Sequence, residues 1–260
     1  MASRKESTGA TTAPGQTSGF AALPADQLPV LKEWFAGQLA GAASVTDAAT
    51  RFVSALADRF SSVILARVYG TVPYGKLPEP EQRFAARLAE SHGRTSLTAD
   101  TPTLVLLGSR GRKQEWNDRL ASQDHLAIPL LSKEFVGGIP MLASLLREIG
   151  LNLDWLDSPG EALTRPLMGG FNGVFFVPSA RLGRDGQGRQ VIPAQDFVAA
   201  HDVQSVFGMG GSYPWGGFVT AIIFTNETLS RASAERYAPL VSVFKSASSL
   251  LVADGKIFSA

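Results

Sequence analysis

The groups best suited to chemistry in this chain sit close together: Trp116-Asn-Asp-Arg119, then Ser122 and His125. A ligand pocket needs mostly apolar walls and a few convergent donors and acceptors. Arg119 can fork onto a carboxylate or phosphate, Asn117 can both donate and accept, Trp116 offers a stacking face, and His125 can act at neutral pH. A further polar group, Asn172, lies inside the apolar run Phe171-Asn-Gly-Val-Phe-Phe-Val177, where a buried amide must find a partner. Trp116, Asn117, Arg119, His125 and Asn172 are therefore the candidate ligand-binding residues, with no catalytic residue and no metal ligand assigned. A plainer reading has the same loop tied down by its own groups, with Trp116 as a hydrophobic plug and Asp118 paired to Arg119 or Arg112. A catalytic reading would use His125 with Asp118 or Asp124 as acid and base.

Other chemistries find less support. The three histidines, His92, His125 and His201, lack the i, i+4 spacing or carboxylate company of a dedicated metal or haem site. Gly208-Met-Gly-Gly is followed by neither a helix start nor a Lys-Ser/Thr pair, so a hairpin bend explains it better than a phosphate loop. Ser109 and Ser212 lack the flanking pattern of a nucleophile elbow, and Arg110, Arg112 and Lys113 form a local basic patch of a solvated loop. The chain has no cysteine, which excludes disulfides, a thiolate nucleophile, cysteine-ligated zinc or iron–sulfur, and a thioether-linked chromophore. A net charge of +1 with interleaved signs gives no footprint for nucleic acid or an anionic membrane. No apolar run reaches the roughly 18–20 residues that span a bilayer, and the N-terminus lacks a signal-peptide core. A cytoplasmic location is the resulting expectation.

The elements that must position these groups follow from periodicity. Residues 1–26, rich in Ser, Thr, Gly, Ala and Pro, read as a disordered tail. Leu31, Trp34, Phe35 and Leu39 give a leading helix over 28–39, within a segment 27–44. Phe52, Val53, Leu56 and Phe60 mark a second helix capped by Ser44 or Thr46. Further helices are expected over 81–91 and from Pro140 to Ile149, with 151–167 a connecting loop. Strands are expected over 63–69, 103–108, 171–177, 203–209 and 218–225, with a sixth near Ala127. Tyr237, Leu240, Val241, Phe244 and Leu251 predict one closing helix over 230–252, in which Pro239 must produce a kink or a late start. Runs of strands with helices segregated to the ends favour an α+β fold with a central antiparallel sheet of five to six strands.

The segment from Val203-Gln-Ser-Val-Phe-Gly-Met-Gly-Gly through Gly217-Phe-Val-Thr-Ala-Ile-Ile-Phe-Thr-Asn226 to the closing helix resembles the second half of a GAF domain. Leu107-Gly-Ser-Arg-Gly, Glu115-Trp-Asn-Asp-Arg, Ile139-Pro-Met and Phe171-Asn-Gly-Val-Phe-Phe-Val-Pro are similar to GAF-like sensory regions ahead of kinase modules in bacterial signalling proteins. The resemblance spans about residues 45–258, with an inserted region at about 109–170. It implies an antiparallel sheet with the first and last helices on one face and loops and short helices over the other, enclosing a pocket. It also implies a sensor of an unidentified small molecule, a homodimer formed through the terminal helices, and, with no kinase, cyclase or DNA-binding module after the domain, output through a separate signalling protein. The cofactor is left unassigned. Two further readings stay open: an enzyme on this fold built on His125, and an interaction module whose pocket is filled by its own side chains.

Overall fold

A computed structural model describes residues 19–93, 97–157, 172–214 and 216–259. Helix α1 (Leu28–Leu39) buries Leu31, Phe35 and Leu39, the 4-residue spacing of one helix face, and ends before Gly41, whose φ of 68° suits a residue without Cβ. Helix α2 (Val45–Arg59) starts at Ser44, whose Oγ accepts from the Asp47 N–H at 3.0 Å. It hands over to strand β1 (Val63–Pro73), which is followed by α3 (Glu79–Ser91) and β2 (Pro102–Gly111). Then come β3 (Ala127–Pro129), α4 (Lys133–Gly137), α5 (Pro140–Glu148), β4 (Asn172–Val177), α6 (Gln195–Ala200), β5 (Ser205–Ser212), β6 (Phe218–Thr225), α7 (Arg231–Glu235) and α8 (Pro239–Ala253).

The six strands form one antiparallel sheet in the order β3-β2-β1-β6-β5-β4, which is the α+β architecture expected from the sequence. Side chains alternate between its faces, as the period of 2 requires. Ala66, Val68, Val105, Leu107, Phe207, Met209, Val219, Ala221 and Ile223 face a layer made of α1, α2 and α8. Leu65, Tyr69, Leu104, Leu106, Phe175, Val206, Phe218, Ile222 and Phe224 face the opposite way, beneath α4, α5 and the connecting loops. Gly108 lets α2 close on the sheet, since a Cβ there would stand 2.6 Å from the Ala49 carbonyl carbon. The terminal helices thus share one face and the irregular segments cover the other.

Several boundaries differ from expectation for identifiable reasons. Strand β5 runs straight through Gly208, Gly210 and Gly211 to Ser212, and the chain reverses only over Tyr213–Gly217, where Gly216 and Gly217 have φ of 100° and 76°. The glycines read as breakers are strand residues in close contact: a Cβ on Gly208 would meet the Ala221 carbonyl oxygen at 2.9 Å. The closing helix is two helices, because Pro239 opens α8 within its first turn, where a missing N–H costs nothing. Helix α4, capped by Ser132, carries too few apolar residues to register as periodic. Within the 151–167 loop, residues 153–157 form a 3-10 turn, and 158–171 lie outside the described residues.

The tail reading applies at most to residues before those described. Phe20 is fully buried, with its ring centroid 4.2 Å from Phe60, 4.9 Å from Phe207 and 5.1 Å from Tyr237. Its N–H and that of Ala21 donate to the Glu227 carboxylate at 2.7 and 2.8 Å, and the Tyr237 hydroxyl donates to its carbonyl at 2.5 Å. Because the ring and both backbone groups are satisfied within the helix layer, Phe20→Ala should cost about 3–5 kcal/mol, read as a lower urea midpoint at unchanged slope.

Candidate functional site

Where the sheet face opposite α1, α2 and α8 is not covered by α5, it opens into a cleft. Its floor is Leu65, Arg67 and Tyr69 of β1 with Ile222 and Phe224 of β6. One wall is Ile139 and Met141 at the start of α5, and the other is the segment 115–125 that follows β2 together with Ile192–Phe197. An outer chamber of about 540 Å³ lies between these walls. Beneath it, a second, smaller space of about 80 Å³ reaches Leu104, Ile128, Leu142 and Leu145.

The 115–125 wall is held by directional bonds. The Ser109 hydroxyl donates to the Trp116 carbonyl at 2.6 Å, Asn117 Oδ1 accepts from the Gly111 N–H at 2.9 Å, and Asp118 Oδ1 accepts from the Leu120 N–H at 2.9 Å. Arg112 Nη2 donates to the Ser61 carbonyl at 2.9 Å. Trp116 packs edge-on to Phe197 at 5.5 Å and to His201 at 4.8 Å, and Phe197 meets Phe224 at 5.4 Å. These rings tie the wall to the floor. Arg119 does not face the cleft: its Nη1 donates to Glu81 Oε1 at 2.5 Å, with Glu81 fully buried and the Arg119 side chain 19% exposed.

The five expected site residues therefore separate. Trp116 and His125 line the cleft together with Ser122. Asn117 and Arg119 brace the loop that carries them. Asn172 stands on the exposed end of the far edge strand β4, where its Oδ1 accepts from Lys245 Nζ at 3.3 Å. The residue missed is Arg67. It projects from β1 into the cleft, and its available signal was a single cation inside the apolar run Val63-Ile-Leu-Ala-Arg-Val-Tyr69.

Arg67 Nε is buried without a hydrogen-bond partner, and Nη1 makes only a long 3.5 Å contact to the Tyr69 hydroxyl. Among the described residues no carboxylate pairs with it. The Ser122 hydroxyl is buried and likewise without a partner. His125 lines both spaces and keeps an exposed surface. Burial and the Arg67 cation hold its pKa below the ordinary value, with Asp124 pulling the other way. The site thus presents a cation, a hydroxyl and a neutral imidazole within apolar and aromatic walls. No group of three or more His, Asp or Glu side chains able to hold a metal occurs among the described residues.

No family model and no curated protein matches the sequence. Solved structures do resemble this one. The GAF domain of an Acinetobacter phosphoenolpyruvate-protein phosphotransferase is 13% identical over 89% of this chain and 98% of that chain, with a TM-score of 0.46. A phycoerythrobilin-bound GAF domain from a cyanobacterial phytochrome is 9% identical over 87% and 96%, with a TM-score of 0.46. The chromophore-binding domain of a bacteriophytochrome from R. palustris is 8% identical over 88% and 63%, with a TM-score of 0.44. At these identities and TM-scores the likeness says nothing of what the cleft holds, and the chemistry of the cleft is that of this chain's own residues.

Two outcomes follow from the bracing and the electrostatics. Arg119→Met strands the buried Glu81 carboxylate and should cost about 3–5 kcal/mol, whereas the double variant Glu81→Met/Arg119→Met should recover most of that loss in chemical denaturation. His125 should titrate by NMR below the ordinary imidazole range, and Arg67→Met should move it upward. Because its folded pKa lies below its unfolded value of about 6.5, the unfolded state binds more protons in that window, and His125 lowers stability as pH falls through it.

Proposed function

We propose that this chain is a small-molecule-binding sensory module whose ligand occupies the cleft between β1, β6, α5 and the 115–125 segment. The observation that carries the reading is an open space with apolar walls on which Arg67, Ser122 and His125 converge. Buried polar groups are ordinarily satisfied, and a cleft-lining guanidinium whose one hydrogen bond among the described residues is a long contact to Tyr69 is a group that a ligand can complete. The wall bearing Trp116 and Ser122 continues directly from β2, so occupancy of the cleft acts on the sheet as well as on the loop.

A response also needs an output surface. The groove between α1 and α8, lined by Ala36, Leu39, Val243, Ala247 and Leu250, leaves Leu250 76% exposed. A second copy docking there would give the homodimer expected of the terminal helices. Leu250→Glu should then shift the protein to monomer in light scattering, and an unchanged mass would argue against that interface.

Thermal-shift screening of a broad metabolite library tests the binding role. Met141 is half-buried and lines both chambers, so Met141→Trp should fill the space with little effect on folding. Ligands that raise the midpoint of the wild-type protein should leave that of Met141→Trp unchanged. Equal shifts in both proteins would place binding elsewhere.

A further inference from the structure

The two chambers differ in chemistry, and the polar groups stand where they meet. The inner space is bounded by Tyr69, Leu104, Ile128, Leu142, Leu145 and Ile222. Arg67 and His125 line both spaces, so they mark the junction. A ligand that uses the whole site must be apolar at one end and polar at the level of the junction.

The sign of that polar group follows from what Arg67 lacks. Its Nε–H is out of contact with water and has no acceptor, and its other contacts amount to one long bond to a phenol. Leaving the buried donor of this half-buried cation unpaired is costly, and the group that best complements a guanidinium is an anion accepting two parallel N–H bonds. Ser122 lines the outer chamber beside Arg67 and offers a second donor with no internal partner. The inventory of charges sets an upper limit: Arg67 is the one Lys or Arg bordering these chambers among the described residues, and Asp124 lines the outer one as well, so a ligand meets at most one net positive charge. A phosphate dianion exceeds that limit and would leave charge uncompensated against Phe224, Ile139 and Met141, whereas a monoanion stays within it.

We propose that the cleft takes a small organic monocarboxylate. The carboxylate bridges the Arg67 guanidinium and the Ser122 hydroxyl at the junction, and a compact branched or aromatic body enters the space toward Leu142 and Ile222. Neutral His125 borders the same position and supplies a ring N–H. This assignment rests on the reading of the cleft as the ligand site.

The test compares pairs of equal shape and different charge, by calorimetry on the full chain: benzoate against benzamide, isovalerate against isovaleramide, and phenyl phosphate as the dianion. The acids should bind roughly tenfold or more tightly than their amides, and Arg67→Met should erase that preference while Arg67→Lys keeps part of it. Amides equal to acids, no acid binding, or phenyl phosphate favoured over benzoate would each overturn the carboxylate assignment. Should Arg67→Met fail to fold, the acid-to-amide ratio in the wild-type protein decides alone. Neutral ligands blocked by Met141→Trp would leave the cleft as the site and remove only the acid. Acids that bind Met141→Trp unchanged would instead remove the cleft.

Discussion

The register of β1 is the constraint on which the rest of this molecule depends. β1 pairs with β2 on one side and β6 on the other, so it fixes both neighbours. Its alternation sends Ala66 and Val68 into the helix layer and Leu65, Arg67 and Tyr69 to the cleft. A slip of one residue would drive the Arg67 guanidinium under α2 and expose half the helix-side core. The irregularity in its pairing between Val68 and Tyr69 lies next to Arg67 and midway along β2, which stays paired as far as Gly111 opposite Leu65 before it continues into the 115–125 wall. The strand that organises the core therefore also sets the direction of its one inward-facing cation.

The two faces of the sheet are built by different means. Toward α1, α2 and α8 the packing is continuous, with Phe20, Phe35, Phe52, Phe60 and Phe244 all fully buried. On the other face, short helices and loops provide the cover, and they meet imperfectly above β1 and β6. Their fixity comes from side-chain bonds such as Ser109 to Trp116 and Arg119 to Glu81. A cover assembled this way leaves space that a second helix layer would fill, and it concentrates directional groups around that space.

Much of this was legible in the sequence where one physical signal dominated. Helix α1 and strand β6 have the expected bounds because their apolar periods are unbroken. The loop from Ser109 onward was expected to cover the face opposite the terminal helices, and Trp116 and His125 do stand over the cleft. Arg119 misled because it lies in a polar loop while its partner Glu81 is 38 residues upstream on α3, a pairing that only tertiary structure creates. Arg67 was passed over because a strand of apolar residues signals core, and one cation within it carries no periodicity. Phe20 was hidden by its Ser-, Thr- and Gly-rich surroundings, although a single aromatic ring suffices to dock a strap.

The first turn of α2 is completed from the far end of the described chain: the Val45 and Thr46 N–H groups donate to the carbonyls of Lys256 and Ile257, and Ser259 joins Ser44 and Thr46 in a cluster of hydroxyls. Phe20 anchors the opposite end in the same layer. Both ends of the described chain thus join the helix layer, and at the later one the Phe258 ring packs against the Arg119 guanidinium at 5.4 Å, on the segment that walls the cleft. A load or a partner acting on that later segment would be felt at the cleft wall through Arg119, so the helix layer and the cleft are joined around the edge of the sheet as well as through it.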